Sequence, residues 1–513
     1  MLPTLDSAGQ IHQRRWKILA VLCMSVFLAV VDNTIVNVAL PTLSRDLSAS
    51  TSQLQWIVDS YSLVFAALLL VGGSLGDRYG RKRALQLGLL LFSAFSTFAA
   101  FQKSADALII ARGLMGIGSM LIFPATLAIL TNVFTDPNER AKAIGAWSGV
   151  VGLAVALGPI SGGILLEHFW WGSIFLVNLP VAGLALFFGW RLVPDSKDPH
   201  TPPLDGVGFA LSIVTIGLLV FTTIEAPSAG WASARTLVSY AVAIALLIAF
   251  VTWEAKQKYP MLDVSVFRNK RFSAASISIT LAFFAFFGFI FLITQYFQFV
   301  RGYDTLSAGI HTLPFAFAAG ITAPIAARVA LSVGTKRTVG AGLTLMSAGF
   351  FLAATLDADS AFFGPVVGSM VMLAAGLSLT TAPSTEAILG SLPLEKAGVG
   401  SAVNDTTREL GGTLGVAVIG SVFSSVYGPK VAKAFASIPQ LPGAAREAAR
   451  ESVAGAMIVA GRAPESSRAL IAGITRNAFM DGFRSAILVS AGATAVAAAL
   501  AFAFMPHRAR ADS

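Results

Sequence analysis

The sequence predicts an all-α integral membrane protein with fourteen spans, and three observations carry that prediction. Charged residues make up 12% of the 513-residue chain, where a soluble globular protein carries about 25%. Apolar residues make up 55% and lie in continuous runs of about twenty, the length that crosses a bilayer as a helix. Basic residues crowd the loops on one side only. The same composition excludes intrinsic disorder, which needs low hydrophobicity. Continuous runs also exclude the alternating strands of a transmembrane barrel.

Taken in order, apolar windows place spans near 16–40, 54–73, 84–102, 107–133, 141–165 and 173–192. Two more fall near 205–224 and 234–253, and six near 272–299, 306–330, 337–356, 362–389, 397–424 and 482–505. The first run is too long for a signal-peptide core and lacks a small-residue cleavage site, so it reads as a retained span. The expected organisation is a short N-terminus (1–15), a six-helix half (16–192), and a linker with two inserted helices (193–254). A second six-helix half (255–505), with an outer loop at 425–481, precedes a short C-terminus (506–513). The outer loop carries helical patterns such as 444–460 and reads as a partly helical cap.

With the N-terminus taken as cytoplasmic, twenty-two Lys and Arg fall in inner loops, while Arg45, Lys103, Arg235 and Arg301 fall in the short outer ones. That bias puts both termini on the cytoplasmic side of the cell membrane. The excess of 36 basic over 27 acidic residues is therefore topological, and no nucleic-acid partner is expected. The lone Cys23 permits no internal disulfide.

A repeat is visible in the loops. Between the second and third spans stands Gly73-Ser74-Leu75-Gly76-Asp77-Arg78-Tyr79-Gly80-Arg81-Lys82-Arg83. Between the tenth and eleventh stands a degraded counterpart, Ala323-Pro324-Ile325-Ala326-Ala327-Arg328 and then Gly334-Thr335-Lys336-Arg337, which has lost the Asp. Repeated halves are transporter architecture, with the substrate site expected between them near the midplane. In the first copy the glycines read as letting two helix ends approach closely. Asp77 reads as an anion at a helix N-terminus, with Arg78 and Arg81 as the basic end of the turn.

That loop resembles the signature of the major facilitator superfamily. Further segments narrow the resemblance to its fourteen-span drug:proton antiporters. They are Asp32-Asn33-Thr34-Ile35-Val36-Asn37-Val38-Ala39-Leu40-Pro41, Arg112-Gly113-Leu114-Met115-Gly116-Ile117-Gly118, the glycines of the fifth span with Gly158-Pro159, Asn178-Leu179-Pro180, and Arg408-Glu409-Leu410-Gly411-Gly412. The resemblance covers about residues 16 to 505. It implies two six-helix halves plus two inserted helices, and proton-driven export of lipophilic, often cationic, compounds. An endogenous metabolite or lipid-like compound stays open as cargo. A non-transporting receptor or scaffold is the remote alternative.

Ionisable groups inside spans are costly and by default functional. Helical rise puts Asp32 about 12 Å, and Asp59 and Arg112 about 8 Å, from the outer ends of their helices, so all three share one half of the membrane. Arg112 keeps its proton, so a carboxylate beside it stays ionised until a proton or a cation competes. Asp405 and Glu409 are four apart with Arg408 between them, which fits a self-neutralising cluster and a second proton site equally. Gly145/Gly149 and Gly158/Gly162 are spaced for close helix packing. With Pro159 removing a helical bond, the same stretch reads as a gating hinge. The five His are scattered and suggest no metal site, and no phosphate-binding Gly-x-x-x-x-Gly-Lys is present. The expected drive is a proton gradient with no cofactor. The expected partners are lipid, protons and small substrates, and no motif names an accessory subunit.

Overall fold

A computed structural model describes residues 8–197, 205–260, 262–391, 397–436, 438 and 441–505. The first half consists of α1 (Ala8–Asp46), α2 (Thr51–Tyr79), α3 (Arg81–Ala100), α4 (Ala105–Val133), α5 (Pro137–His168), and a short α6 (Ser173–Leu176) leading into α7 (Asn178–Leu192). The inserted pair is α8 (Gly206–Ala229) and α9 (Ala234–Glu254). The second half holds α10 (Lys270–Gln295), α11 (Thr305–Ile310) leading into α12 (Leu313–Val333), α13 (Thr335–Ala354), α14 (Val367–Leu389) and α15 (Ala397–Ala436). Two short helices, α16 (Gly443–Glu451) and α17 (Val453–Arg462), precede the long α18 (Glu465–Phe504). Among the described residues, 13 helices are long and apolar enough to cross a membrane, and α2, bent by 52° between Leu69 and Val71, makes the fourteenth.

Polar residues at the turns start these helices. Ser50 caps α2 reciprocally with Gln53, each side chain accepting from the other's backbone N–H at 3.2 and 3.1 Å. Ser104, Asp205 and Ser233 cap α4, α8 and α9 one way, each side chain accepting from the backbone N–H three residues on. Most expected spans match within a few residues, but α15 and α18 overrun theirs. The charged residues in 425–436 and 465–481 lower hydropathy there, yet Ala, Lys, Arg and Glu are good helix formers. The expected outer loop is thus mainly two helix extensions with α16 and α17 packed between them.

The internal repeat extends to packing. In the first half α2 packs on α4, α3 on α4, α1 on α5, and α7 on both α1 and α3. The second half repeats this pair for pair: α12 on α14, α13 on α14, α10 on α15, and α18 on both α10 and α13. The contacts between halves obey the same two-fold relation, α2 meeting α15 where α5 meets α11 and α12. The tight turns correspond too. Gly80 (φ 113°) and Gly334 (φ 97°) each join two spans alone, a backbone shape that favours glycine. Their N–H groups donate to Gly76 and Ala330 carbonyls at 2.9 and 3.0 Å.

The halves are joined at one end. Calling the end where α1 begins the near face, inter-half hydrogen bonds among the described residues all lie toward the far face. Gln298 donates to Val38 O at 2.9 Å, Thr305 to Gly163 O at 3.4 Å, and Thr51 to Glu451 O at 2.9 Å. A Cβ on Gly309 would stand 2.4 Å from Pro159 O, so α5 and α11 touch backbone to backbone there. Helix α8 lies against α2 and α15, where Val220, Ile224 and Ala417 bury together against Trp56 and Leu63, and α9 packs on α8.

Candidate functional site

Asp32 and Arg112 meet in the first half with both side chains wholly buried. Arg112 Nη1 donates to Asp32 Oδ2, and Arg112 Nε donates to Ile57 O at 3.1 Å. The guanidinium lies 4.4 Å from the centre of the Tyr61 ring, within cation–π range. Asn178 Nδ2 donates to the other Asp32 oxygen at 2.8 Å and to Ser96 Oγ at 3.0 Å. Tyr61 Oη shares a 2.7 Å bond with Ser119 and donates to Ala29 O at 3.3 Å. One polar network therefore ties α1, α2, α3, α4 and α7 together inside an apolar core. Asn178 is its unforeseen member. As a polar amide in an apolar run, inside the quoted Asn-Leu-Pro, it carried a signal that sequence reasoning did not use.

Asp59 stands apart from that pair. It is fully buried, and neither carboxyl oxygen has a hydrogen-bond partner among the described residues. One turn earlier on the same helix face, Gln55 Nε2 donates across the seam to Val416 O at 3.2 Å and Ala417 O at 2.9 Å. Since α2 and α15 run antiparallel, Asp59 is level with Thr413, whose buried hydroxyl is likewise unpartnered. Asp59 thus belongs to the junction between halves, where depth alone had grouped it with Arg112.

On α15, Asp405, Arg408 and Glu409 stand within about one turn of one another. No salt bridge joins Arg408 to either carboxylate among the described residues. Arg408 Nη2 donates to Thr385 Oγ1 at 3.1 Å, and its guanidinium lies 5.5 Å from the Phe283 ring centre. Asp405 accepts from Asn404 Nδ2 at 3.3 Å.

The glycines divide by position. A Cβ on Gly158 would fall 1.9 Å from Thr34 Oγ1, and one on Gly162 2.8 Å from Ile35 Cγ1, so α1 and α5 approach as closely as the spacing implied. Gly149 has nothing within 4 Å and is not a packing glycine in this state. Residues 73–79 continue α2 rather than forming a loop, and Gly80 alone makes the turn. Gly73 and Gly76 see only ordinary contacts at 3.6 and 3.5 Å. The close approach is at Gly72, where a Cβ would sit 1.9 Å from Met120 O. Asp77 lies in the last turn of α2 and accepts from Arg81 Nε at 2.7 Å, and among the described residues it accepts from no helix N-terminal N–H. Arg78 is exposed over the Tyr79 ring, 5.8 Å from its centre. Outside the spans, hydrogen bonds from Arg15 at 2.8 and 2.9 Å hold the Glu139 carboxyl below its usual range. That tie between α1 and α5 is complete above the ordinary Glu range and is lost only as pH falls through the lowered value.

Comparison with known proteins agrees with this architecture. Residues 22–416 match the family model described as Major Facilitator Superfamily. The chain is 37% identical to the multidrug efflux pump LfrA of Mycolicibacterium smegmatis over 95% of both chains. It is 34% identical to the methyl viologen resistance protein SmvA of Salmonella typhimurium, over 93% of this chain and 96% of that protein. It is also 32% identical to the tetracenomycin C resistance and export protein of Streptomyces glaucescens, over 96% and 92%. Among solved structures, a bacterial homologue of the human lysosomal transporter Spinster, inward-facing and unoccupied, superposes with a TM-score of 0.66 at 17% identity, covering 95% of this chain and 96% of that one. The inward-open xylose transporter XylE of E. coli gives 0.58 at 13% identity over 97% of both. Helix content, repeated halves and matched sequence agree: this membrane-embedded chain belongs to the Major Facilitator Superfamily.

Proposed function

We propose that the protein is a proton-coupled exporter of lipophilic, often cationic, compounds, set in the cell membrane with both termini cytoplasmic. The observation that carries the reading is Asp59, a carboxyl buried without a partner in the seam that closes the far face. A charge left there would cost several kcal/mol, so the seam closes over the neutral acid. With the far face outward, the closed state is the one loaded with a proton from outside. Opening toward the cytoplasm then lets that proton leave as a substrate enters.

Asp32 serves in the same cycle as an anion held by Arg112 and Asn178. A cationic substrate competes with Arg112 for it, and Asp405 and Glu409 extend the acidic surface from the second half. Closure at the far face agrees with the inward-facing state described for the two solved relatives. The similar proteins that serve multidrug efflux and methyl viologen resistance support export of toxic compounds. Energy comes from the proton gradient, with no cofactor in the cycle. The test is accumulation in proteoliposomes under an imposed pH gradient, against a panel of cationic, neutral and anionic dyes. Lipophilic cations should concentrate, and a protonophore should abolish the effect. Movement indifferent to the protonophore, or confined to anions, would refute the reading.

A further inference from the structure

A recess of about 240 Å³ lies between α1, α5 and α7, away from the junction of the halves. Leu28 and Val31 of α1, Ile160 and Ile164 of α5, and Val181 of α7 line it, with Val177 just before α7. It faces lipid by helix geometry. On α5, Gly158 and Gly162 point at α1, and Pro159 and Gly163 meet α11 and its first residues. Leu157, Ile160, Ser161 and Ile164 occupy the remaining sector, and Ile164 is 46% exposed. The recess sits in the far-face leaflet, since Ile164 is one turn from the end of α5 and Asn178 begins α7.

Its side-chain donors are already engaged. The Ser161 hydroxyl donates back to Leu157 O at 2.8 Å and Gly158 O at 3.0 Å. The Asn178 amide nitrogen is committed to Asp32 and Ser96. No charged side chain stands in the wall to hold a cation or a phosphate head. The volume also falls below the roughly 300–1,000 Å³ that encloses a drug-sized ligand. A lipid-facing void left empty forfeits dispersion contacts along its whole lining, and the neighbouring solvent is hydrocarbon.

We propose that one acyl chain of a far-leaflet phospholipid occupies this recess as a bound lipid. The chain packs against the wall whose inner side is Asn178, and so shields the Asp32–Arg112 pair from the bilayer side. This site is separate from the export reading and stands or falls without it, because its test needs no transport.

The purified protein is placed in phosphatidylethanolamine–phosphatidylglycerol vesicles containing a little phosphatidylcholine with a diazirine on its acyl chain. After irradiation, labelled peptides are mapped by mass spectrometry. Label should be enriched on 157–164 and 177–181 relative to α9, a span whose side chains are mostly exposed on the outside of the helix bundle. Val181→Phe, which fills the recess, should remove that enrichment while α9 labelling is unchanged. Ile160→Phe does the same from the other wall should the first variant not fold. An excess of a lipophilic cation should leave the label in place. Label no greater than on α9, label that survives both substitutions, or label displaced by the cation would each overturn the proposal.

Discussion

Asp32 and Arg112 hold each other inside the first half, so neither is expected to tolerate change alone. Asp32→Asn leaves a guanidinium with zero exposure lacking its counter-charge, a loss of about 3–5 kcal/mol for a broken buried pair. The variant should therefore unfold in detergent at a visibly lower temperature. Asp32→Asn combined with Arg112→Gln removes both charges and should recover much of that stability without recovering export. A double variant that transports like wild type would show the pair to be structural only. The pairing was half legible in the sequence: intramembrane charges announce themselves, and depth placed Asp32, Asp59 and Arg112 together. Depth cannot resolve which helix face a side chain shares, which is why Asp59 was grouped with Arg112 and proves to face α15. Gln55 and the role of Asn178 in the Asp32 network are not legible in the sequence, because a single amide in an apolar run carries no charge to mark it.

Helix 5 shows the same resolution limit one level up. Four-residue glycine spacing correctly marked Gly158 and Gly162 as close contacts, yet Gly149, with equal spacing, meets nothing. Spacing reports a stripe along a helix, while contact depends on where the neighbour diverges. Gly158→Ala sets a methyl group against Thr34, and overpacking of this kind costs about 1–3 kcal/mol. Thr34→Ala should restore part of the loss, and a double-mutant cycle on thermal stability measures the coupling. Additive effects would mean that α1 and α5 separate freely at this point. The cap was legible as helix but not as an extension of its neighbours, because charges at Lys430, Arg468 and Arg476 interrupt the apolar run without interrupting the helix.

At the scale of the whole molecule, fourteen spans and a two-fold repeat followed from apolar length and from one echoed loop. The conformational state did not, because it resides in contacts between residues hundreds of positions apart. Thr51 reaches Glu451 O of the cap across the closed far face at 2.9 Å. With Cys23 replaced by Ser, a short thiol crosslinker between Thr51→Cys and Glu451→Cys should arrest export, and a cleavable linker should release it on reduction. Transport undiminished by full crosslinking would mean that this contact persists throughout the cycle. The central claim is that the far face closes over a protonated Asp59 and that substrate drives the proton out at the near face. Substrate-induced proton release, followed with a pH-sensitive dye in everted vesicles, tests it directly. Wild type should release protons on addition of a lipophilic cation. Asp59→Asn, inserted at equal abundance, should bind the cation without releasing protons. Undiminished proton release by Asp59→Asn would contradict the account.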